Sequence, residues 1–256
     1  MIHNSAIIDP SARIADDVSV GPFSVIGADV QIGSGSVIGP HVVIKGPTTI
    51  GKYNQIFQFA SVGEDPQDKK YQGEATRLEI GDNNVIREGC TLNRGTTQDL
   101  GVTSIGNDNL IMAYVHVAHD CMVKNNTILA NNVALAGHVT IDDYAILGGY
   151  TLVHQFCVIG SYAFTAMGSV LPKDVPPYVL VSGHMARPFG LNVEGLKRRG
   201  FSADTVRDLR RAYKLIYKAG LTVEQASQQM RALNPASAEI AVLADFIVKS
   251  ERGIVR

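Results

Sequence analysis

The chain has 256 residues, an apolar content of 45% and a formal net charge of −1. This length and apolar content are enough for one large domain or for a domain with an appendage, and the near-neutral charge argues against general affinity for nucleic acid. Charged residues make up 18% and there are 25 glycines, which indicates many turns and few long exposed helices.

The cellular compartment is suggested by what the sequence lacks. The first residues contain no basic segment followed by an apolar core, and no apolar run is long enough to cross a bilayer, so neither a secretory signal nor a membrane span is predicted. The three cysteines, Cys90, Cys121 and Cys157, are odd in number and widely spaced, unlike a disulfide framework. We therefore expect a cytoplasmic protein.

The strongest feature of the sequence is an aliphatic residue at every sixth position. One series runs from Ile8 to Val62 and resumes between Ile80 and Leu92, and a second, shifted in phase, begins at Ile105 and fades at Leu171. Neither a helix nor a flat sheet has this period. The pattern is typical of a parallel β-helix, in which each hexapeptide forms one short strand and one corner and three hexapeptides close a triangular coil. We expect this β-helix to occupy residues 1–177.

Two polar segments interrupt the repeat. The first, "GEDPQDKKYQGEATRLE" at 63–79, takes the length of one coil without its core residues, and we expect it to leave the prism as a functional loop because Asp68 and Lys70 can reach a polar ligand. The second, "NRGTTQDLGVTS" at 93–104, breaks the phase and reads equally well as a functional or a disordered excursion.

The chain after the repeat is predicted to be helical. Pro172, Pro176 and Pro177 mark the boundary, and residues 178–256 carry N-cap signals at Ser202 and Thr222. Beside the apolar face of one predicted helix lies a stripe of basic residues, namely Arg207, Arg211, Lys214 and Lys218. Such a stripe is either a solvated face or a dock for an acidic partner.

The repeat brings polar residues together that are far apart in sequence. Residues one coil apart lie above one another at roughly 4.8 Å, the spacing of neighbouring strands. His119, Gly137 and Gln155 therefore form one column, and the same arithmetic places Asp120 beneath His138. The remaining histidines of this region, His116 and His154, fall on the same coils.

Two chemistries suit such a histidine cluster. Three imidazoles can hold a metal ion and leave a position open for water, as in a metal-dependent lyase or hydratase. Alternatively, a neutral His119 removes a proton from a substrate hydroxyl while the N–H of Gly137 binds the oxyanion of an acyl transfer. Spacing does not separate these alternatives, and a scaffold without catalysis is a third. The cysteines fall at interior positions of the repeat, which predicts core packing and not a thiolate site.

Several motifs, in order, resemble the family of UDP-N-acetylglucosamine O-acyltransferases. They are "VHVAHDC" (115–121), "ILANNVALAGHV" (128–139), "AILGGYTLVHQF" (145–156), "DVPPYV" (174–179) and "NVEGLKRRGFS" (192–202). The resemblance implies an all-β left-handed parallel β-helix with a C-terminal α-helical domain, the hand being an exception to the usual crossover rule. It also implies a cytoplasmic homotrimer with active sites between prisms and no metal or dissociable cofactor.

The resemblance further implies the reaction. A 3-hydroxyacyl group on acyl carrier protein, an acidic partner, would be transferred to the 3-hydroxyl of UDP-N-acetylglucosamine in the first step of lipid A synthesis. His119 would be the general base, Asp120 its support and Gly137 the oxyanion donor. Positions matching contacts to the sugar nucleotide or acyl group are Gln67, Asp68, Lys70, His116, His138, His154 and Gln155. Positions matching the tail that reaches the nucleotide are Asn192, Glu194, Arg198 and Arg199.

One position bears on the length of the acyl chain. Met167 occupies the site that limits the acyl groove, where long-chain members of the family carry glycine. A methionine there would exclude further methylenes, each worth about 0.8 kcal/mol when buried. The resemblance therefore predicts 3-hydroxydecanoyl in preference to 3-hydroxymyristoyl.

Overall fold

The computed structural model describes residues 1–256. Most of the chain forms a triangular prism of parallel strands. Its first face pairs the strands in the order β1 (Ile7–Ile8), β4 (Val25–Ile26), β7 (Val43–Ile44), β10 (Ser61–Glu64), β13 (Thr91–Asn93), β16 (His116–Val117), β19 (Ala134–Leu135), β22 (Leu152–Val153) and β25 (Val170–Leu171). The predicted parallel β-helix is confirmed.

The second face follows the same rule of one strand per coil. It consists of β2 (Arg13–Ile14), β5 (Val30–Ile32), β8 (Thr48–Ile50), β11 (Arg77–Ile80), β14 (Val102–Ile105), β17 (Met122–Val123), β20 (Thr140–Ile141) and β23 (Val158–Ile159).

The third face continues past the hexapeptide repeat. It consists of β3 (Ser19–Val20), β6 (Val37–Ile38), β9 (Gln55–Ile56), β12 (Val85–Ile86), β15 (Leu110–Ile111), β18 (Ile128–Leu129), β21 (Ile146–Leu147), β24 (Phe164–Thr165), β26 (Val179–Ser182) and β27 (Arg187–Leu191). The segment after residue 177, predicted as helical, thus begins with two strands, because β26 pairs in parallel with β24 and β27 returns antiparallel to it. The domain boundary at residue 177 stays a prediction.

The core of the prism is built by the periodic aliphatic residues. Ile26, Ile44 and Ile86 are at most 1% exposed, and each such side chain contributes about 1.5–3 kcal/mol through burial. The slim positions between them are buried too; Ser24 donates from Oγ to the carbonyl of Gly39 at 2.7 Å, which satisfies its hydroxyl inside the prism. The three cysteines are free and buried, as predicted. Burial raises the pKa of Cys90 to about 11 and that of Cys121 to about 12, so neither is a thiolate at neutral pH.

The two polar segments leave the prism, but they are shorter than predicted. The first loop covers 65–76, because Glu64 still belongs to β10 and Arg77 to β11. The second loop covers 94–101, between β13 and β14. Each loop is inserted at one corner and no coil is skipped: Val62 pairs with Ile44 and Leu92, while Ile80 pairs with Ile50 and Ile105. The idea that the first segment replaces a whole coil is therefore wrong.

Four helices follow the prism and enclose a second apolar core. They are α1 (Val193–Arg198), α2 (Ala203–Tyr217), α3 (Val223–Leu233) and α4 (Ala238–Lys249). The predicted caps are confirmed: Ser202 accepts from the N–H of Thr205, and Thr222 forms a capping box with Gln225. None of these helices has the length and apolar content needed to span a membrane.

Candidate active site

The predicted column of His119, Gly137 and Gln155 is present on one corner of the prism. The N–H of His138 donates to the carbonyl of His119 at 3.1 Å, and the N–H of Phe156 donates to the carbonyl of Gly137 at 3.2 Å. These hydrogen bonds hold successive coils in the register that the repeat predicts.

Gly137 leaves room for the imidazole of His119. A Cβ atom at this glycine would lie 2.5 Å from Cε1 and 2.8 Å from Nε2 of His119, so no other residue fits without moving the ring. The N–H of Gly137 has no hydrogen-bond partner within the protein. A free donor thus lies directly beside a histidine ring, as oxyanion binding next to a general base requires.

Asp120 fixes the orientation of the same ring. Its Oδ2 accepts from Nδ1 of His119 at 2.9 Å, and the carboxylate is only 1% exposed. Thr96 donates to it twice, from its N–H at 2.8 Å and from its hydroxyl at 2.6 Å. Burial alone would raise the pKa of Asp120, but the hydrogen bonds from His119 and Thr96 outweigh it and hold the pKa below its usual value. Asp120 is therefore a carboxylate at neutral pH, which keeps the proton of His119 on Nδ1 and leaves Nε2 free to accept.

His138 completes the cluster from the next coil. Its Nδ1 lies 2.8 Å from a carboxylate oxygen of Asp99, and its Nε2 lies 3.8 Å from Oδ2 of Asp120. Its ring stacks on Phe156 with centroids 4.4 Å apart. The ring is thus held on both edges and on one face.

A polar cleft of about 810 Å³ opens over this cluster. Both loops and the corner column contribute to its walls, and the lining residues are Gln67, Asp68, Lys69, Lys70, Gln98, Asp99, His119, His138, Gln155 and Phe156. The cleft has the size of a small-molecule site and is lined mainly by hydrogen-bonding side chains, which suits a polar substrate.

The chain has close relatives along its whole length. Residues 174–255 match a family model described as UDP N-acetylglucosamine O-acyltransferase, domain 2, and residues 11–46 and 103–137 match the bacterial transferase hexapeptide model. It is 60% identical to an acyl-(acyl-carrier-protein)–UDP-N-acetylglucosamine O-acyltransferase of Ectopseudomonas mendocina, over 98% of this chain and 97% of the relative. A relative of the same name from Thiobacillus denitrificans is 57% identical over 100% of this chain and 99% of its own.

The fold is shared as well. The crystal structure of a UDP-N-acetylglucosamine O-acyltransferase from Moraxella catarrhalis superposes with a TM-score of 0.98 at 49% identity, covering 100% of this chain and 99% of that one. The chain belongs to the UDP-N-acetylglucosamine O-acyltransferase family. The predicted O-acyltransferase class and the left-handed parallel β-helix with a C-terminal helical domain are therefore confirmed.

Two candidate histidines of this acyltransferase do not line the cleft. His116, on β16, is half-buried and its Nδ1 lies 2.7 Å from the hydroxyl of Thr91. Burial and the neighbouring His119 lower the pKa of His116, so it is neutral at pH 7. His154 is exposed and its Nδ1 lies 2.9 Å from Nη2 of Arg252, near the C-terminus.

Three of the four candidate residues of the tail, Asn192, Arg198 and Arg199, line a second, smaller cavity of about 220 Å³. Arg198 and Arg199 line it with Tyr144 and Tyr162, and the guanidinium of Arg199 lies 4.7 Å from the centroid of the Tyr144 ring. Asn192 has a structural task there, since it caps α1 through the N–H of Gly195 and donates to the carbonyl of Tyr162. Glu194 is exposed and forms an ion pair with Lys197.

Met167 lies on another corner of the prism and is 83% exposed. The N–H of Gly168 donates to the carbonyl of Gly149, which places Met167 in the column of Asn131 and Gly149 and not in that of His119. Within a single chain, therefore, Met167, the residue predicted to limit the acyl chain length, does not reach the cleft.

Sequence reasoning missed three residues that contact the cluster. Thr96 and Asp99 lie on the second loop, whose role the sequence left open, and a loop has no register from which to compute its neighbours. The position of Phe156 could have been predicted from the repeat, since Phe156 follows His138 by one coil and therefore stacks on it.

The metal alternative fits this cluster poorly. Ligand atoms of His119, Asp120 and His138 lie within 4.8 Å of one another. However, this set has two imidazoles and one carboxylate instead of the three imidazoles expected, and Asp120 already accepts hydrogen bonds from His119 and Thr96. A metal ion would have to displace these bonds.

Proposed function

We propose that this protein transfers a 3-hydroxyacyl group from acyl carrier protein to the 3-hydroxyl of UDP-N-acetylglucosamine, the first step of lipid A synthesis. The observation that carries the proposal is the juxtaposition of the His119 ring, the free N–H of Gly137 and the buried carboxylate of Asp120. The names of the relatives supply the donor and the acceptor.

His119 acts as the general base in this mechanism. Its Nε2 takes the proton of the sugar 3-hydroxyl while the hydroxyl oxygen attacks the thioester carbonyl. The N–H of Gly137 donates to the resulting oxyanion. When the tetrahedral intermediate collapses, the carbon–sulfur bond breaks and the thiol of the carrier leaves with the proton held by His119. General-base assistance of this kind contributes about 10²–10⁴-fold in rate.

The other candidate residues bind the substrates. Gln67, Asp68 and Lys70 on the first loop face the cleft with His138 and Gln155 and hydrogen-bond the sugar nucleotide or the acyl group. His116 and His154 lie at the edge of the same coils. Asn192, Glu194, Arg198 and Arg199 form the nucleotide end, where guanidinium groups suit phosphates.

Met167 sets the acyl chain length. Its exposed side chain ends the acyl groove once a second chain lies against it, which gives the preference for 3-hydroxydecanoyl over 3-hydroxymyristoyl. The active enzyme is a homotrimer in the cytoplasm with its sites between prisms. Exposed apolar residues on the outer faces of strands, such as Met122 at 40% and Leu152 at 48%, support contact between copies.

Acyl carrier protein docks on the basic stripe that runs along α2 to its C-cap, Lys218. Arg207 is paired with Asp204 and Arg211 lies near Asp208, while Lys214 and Lys218 have no carboxylate within salt-bridge distance. The stripe is therefore partly neutralised, and the two lysines carry the charge available to an acidic partner. No metal or dissociable cofactor takes part in the proposed reaction.

Mass spectrometry tests the proposal directly. The purified protein is incubated with UDP-N-acetylglucosamine and a panel of 3-hydroxyacyl carrier proteins, and O-acylated product is expected, with the 3-hydroxydecanoyl donor the fastest. His119→Ala should abolish turnover and leave sugar-nucleotide binding intact. Absence of product with every donor contradicts the proposal, and activity that is lost with bound zinc on chelation supports the metal alternative.

The assembly has its own test. Light scattering on the eluted peak of a sizing column should give three times the mass of one chain, and a stable monomer with full activity would contradict a site shared between prisms.

A further inference from the structure

The second loop contacts the first loop through a buried arginine. The side chain of Arg94 is 7% exposed, and its guanidinium donates to the carbonyl of Gly63 at 2.6 Å and to the hydroxyl of Tyr71 at 2.9 Å. It also forms an ion pair with Asp65. Asp65 and Tyr71 belong to the first loop and flank the segment that carries Gln67, Asp68 and Lys70. Arg94 thus holds both ends of the segment that lines the cleft.

The same loop contacts the catalytic cluster two residues later. Thr96 is 1% exposed, and both its N–H and its hydroxyl donate to Asp120. Asp120 in turn orients His119. Farther along, Asp99 bonds to His138. One short loop therefore connects the substrate-facing segment with the general base and its neighbour.

This arrangement costs stability. Three buried side-chain atoms near the bases of the two loops have no hydrogen-bond partner within the protein, namely Thr76 Oγ1, Asn93 Oδ1 and Arg94 Nε. Each such atom costs about 1–3 kcal/mol. Unsatisfied polar groups of this kind are typical of functional regions and not of joints that serve stability alone.

We propose that the second loop is the positioning element of the site, with Thr96 positioning the Asp120–His119 pair and Arg94 positioning the substrate-facing part of the first loop. The proposal rests on the acyltransferase function proposed above. Neither residue touches the reacting atoms; each acts through the group it holds.

Thr96 is tested with one variant that keeps its shape and one that keeps its hydroxyl. Thr96→Val removes the hydroxyl donor and keeps the N–H, so kcat should fall by about tenfold to a hundredfold while KM for UDP-N-acetylglucosamine changes by less than about twofold. Thr96→Ser restores the donor and should lie within about threefold of the parent kcat. Equal kcat values for the two variants would overturn the assignment of Thr96.

Arg94 is tested by kinetics and by proteolysis. Arg94→Met should raise KM for the sugar nucleotide by about tenfold or more with a smaller change in kcat, the reverse of the Thr96→Val pattern. Trypsin cleavage after Lys69 and Lys70 should be at least about fivefold faster in Arg94→Met than in Arg87→Met, because the first loop opens more often once Arg94 no longer holds it. Arg87 is a matched control, since it pairs with the adjacent Glu88 and lies over Phe57, away from both loops.

The outcomes separate this inference from the proposed function. A parent enzyme without acyl transfer contradicts the function, whereas an active parent with unchanged Thr96→Val kinetics overturns only the inference. Equal cleavage of Arg94→Met and Arg87→Met overturns the role of Arg94 whether or not the protein is active.

Discussion

Asp120 determines which nitrogen of His119 carries the proton. In Asp120→Asn an amide can donate to Nδ1 of His119, which leaves the proton on Nε2 and removes the base. Asparagine also tolerates the left-handed backbone at this position, where φ is 58°. We expect kcat to fall about 10²–10⁴-fold, measured at saturating substrates, with the thermal midpoint little changed. A kcat close to that of the parent would show that the orientation of the ring does not limit the reaction.

His116 makes stability depend on pH. Because burial and His119 lower its pKa in the folded state, the unfolded chain binds a proton near pH 6.5 that the folded chain does not. Its contribution to stability is complete above the unfolded pKa of about 6.5 and declines as the pH falls toward the folded pKa. Urea unfolding at pH 7 and pH 5.5 should show a smaller loss of stability for His116→Gln than for the parent, while His3→Gln, at an exposed position, should behave as the parent. An equal loss in all three would remove His116 as the cause.

At the scale of elements, successive coils are joined inside the prism by a ladder of polar side chains, each directly before a strand of the third face. Nδ2 of Asn84 donates to Oδ1 of Asn54 at 3.0 Å and to the carbonyl of Gly106 at 2.9 Å, and its Oδ1 accepts from the N–H of Asn109 at 3.0 Å. The ladder ties three successive coils together on both sides of the two loops. It gives the loops a fixed base although the repeat is interrupted there.

Removing one rung should therefore be costly. Asn84→Ala leaves a buried carbonyl and a buried N–H without partners, and we expect a loss of about 2–4 kcal/mol in the free energy of unfolding. Gln55→Ala, at an exposed position of β9, should change it by less than about 0.5 kcal/mol. Similar unfolding midpoints for both variants in urea would contradict a structural role of the ladder.

The coil arithmetic explains what the sequence could predict of the site. Within uninterrupted coils, residues one coil apart stack, so the column of His119, Gly137 and Gln155 followed from the aliphatic period alone. The second loop lengthens one coil and changes that spacing. Thr91 therefore pairs with His116 and not with Asn109, the partner that an uninterrupted coil would give it. The contacts of Thr96 with Asp120 and of Arg94 with the first loop depend on the path of an aperiodic segment, which no period determines.

At the scale of the whole molecule, one chain supplies only part of the proposed site. His119, Asp120 and Gly137 lie on one corner, Met167 lies on another, and the arginines of the tail line a separate cavity. A substrate with a nucleotide, a sugar and an acyl chain must therefore meet residues of two copies if all the candidate residues are used. This is the physical reason to expect an oligomer.

The acyl-chain preference of a Met167 variant tests that arrangement. Under the proposed function Met167 ends the acyl groove, so Met167→Gly should open it. Each additional methylene buried there would contribute about 0.8 kcal/mol, and the preference should move from 3-hydroxydecanoyl toward 3-hydroxymyristoyl donors. The measurement is the ratio of kcat/KM for the two donors in the variant and in the parent. An unchanged ratio would remove Met167 as the ruler.

A crystal structure of the oligomer with acylated UDP-N-acetylglucosamine bound tests the central claim most directly. We predict the 3-oxygen of the sugar within hydrogen-bonding distance of Nε2 of His119 and the ester carbonyl oxygen within the same distance of the N–H of Gly137. Electron density that places the acylated oxygen away from this corner of the prism would contradict the account.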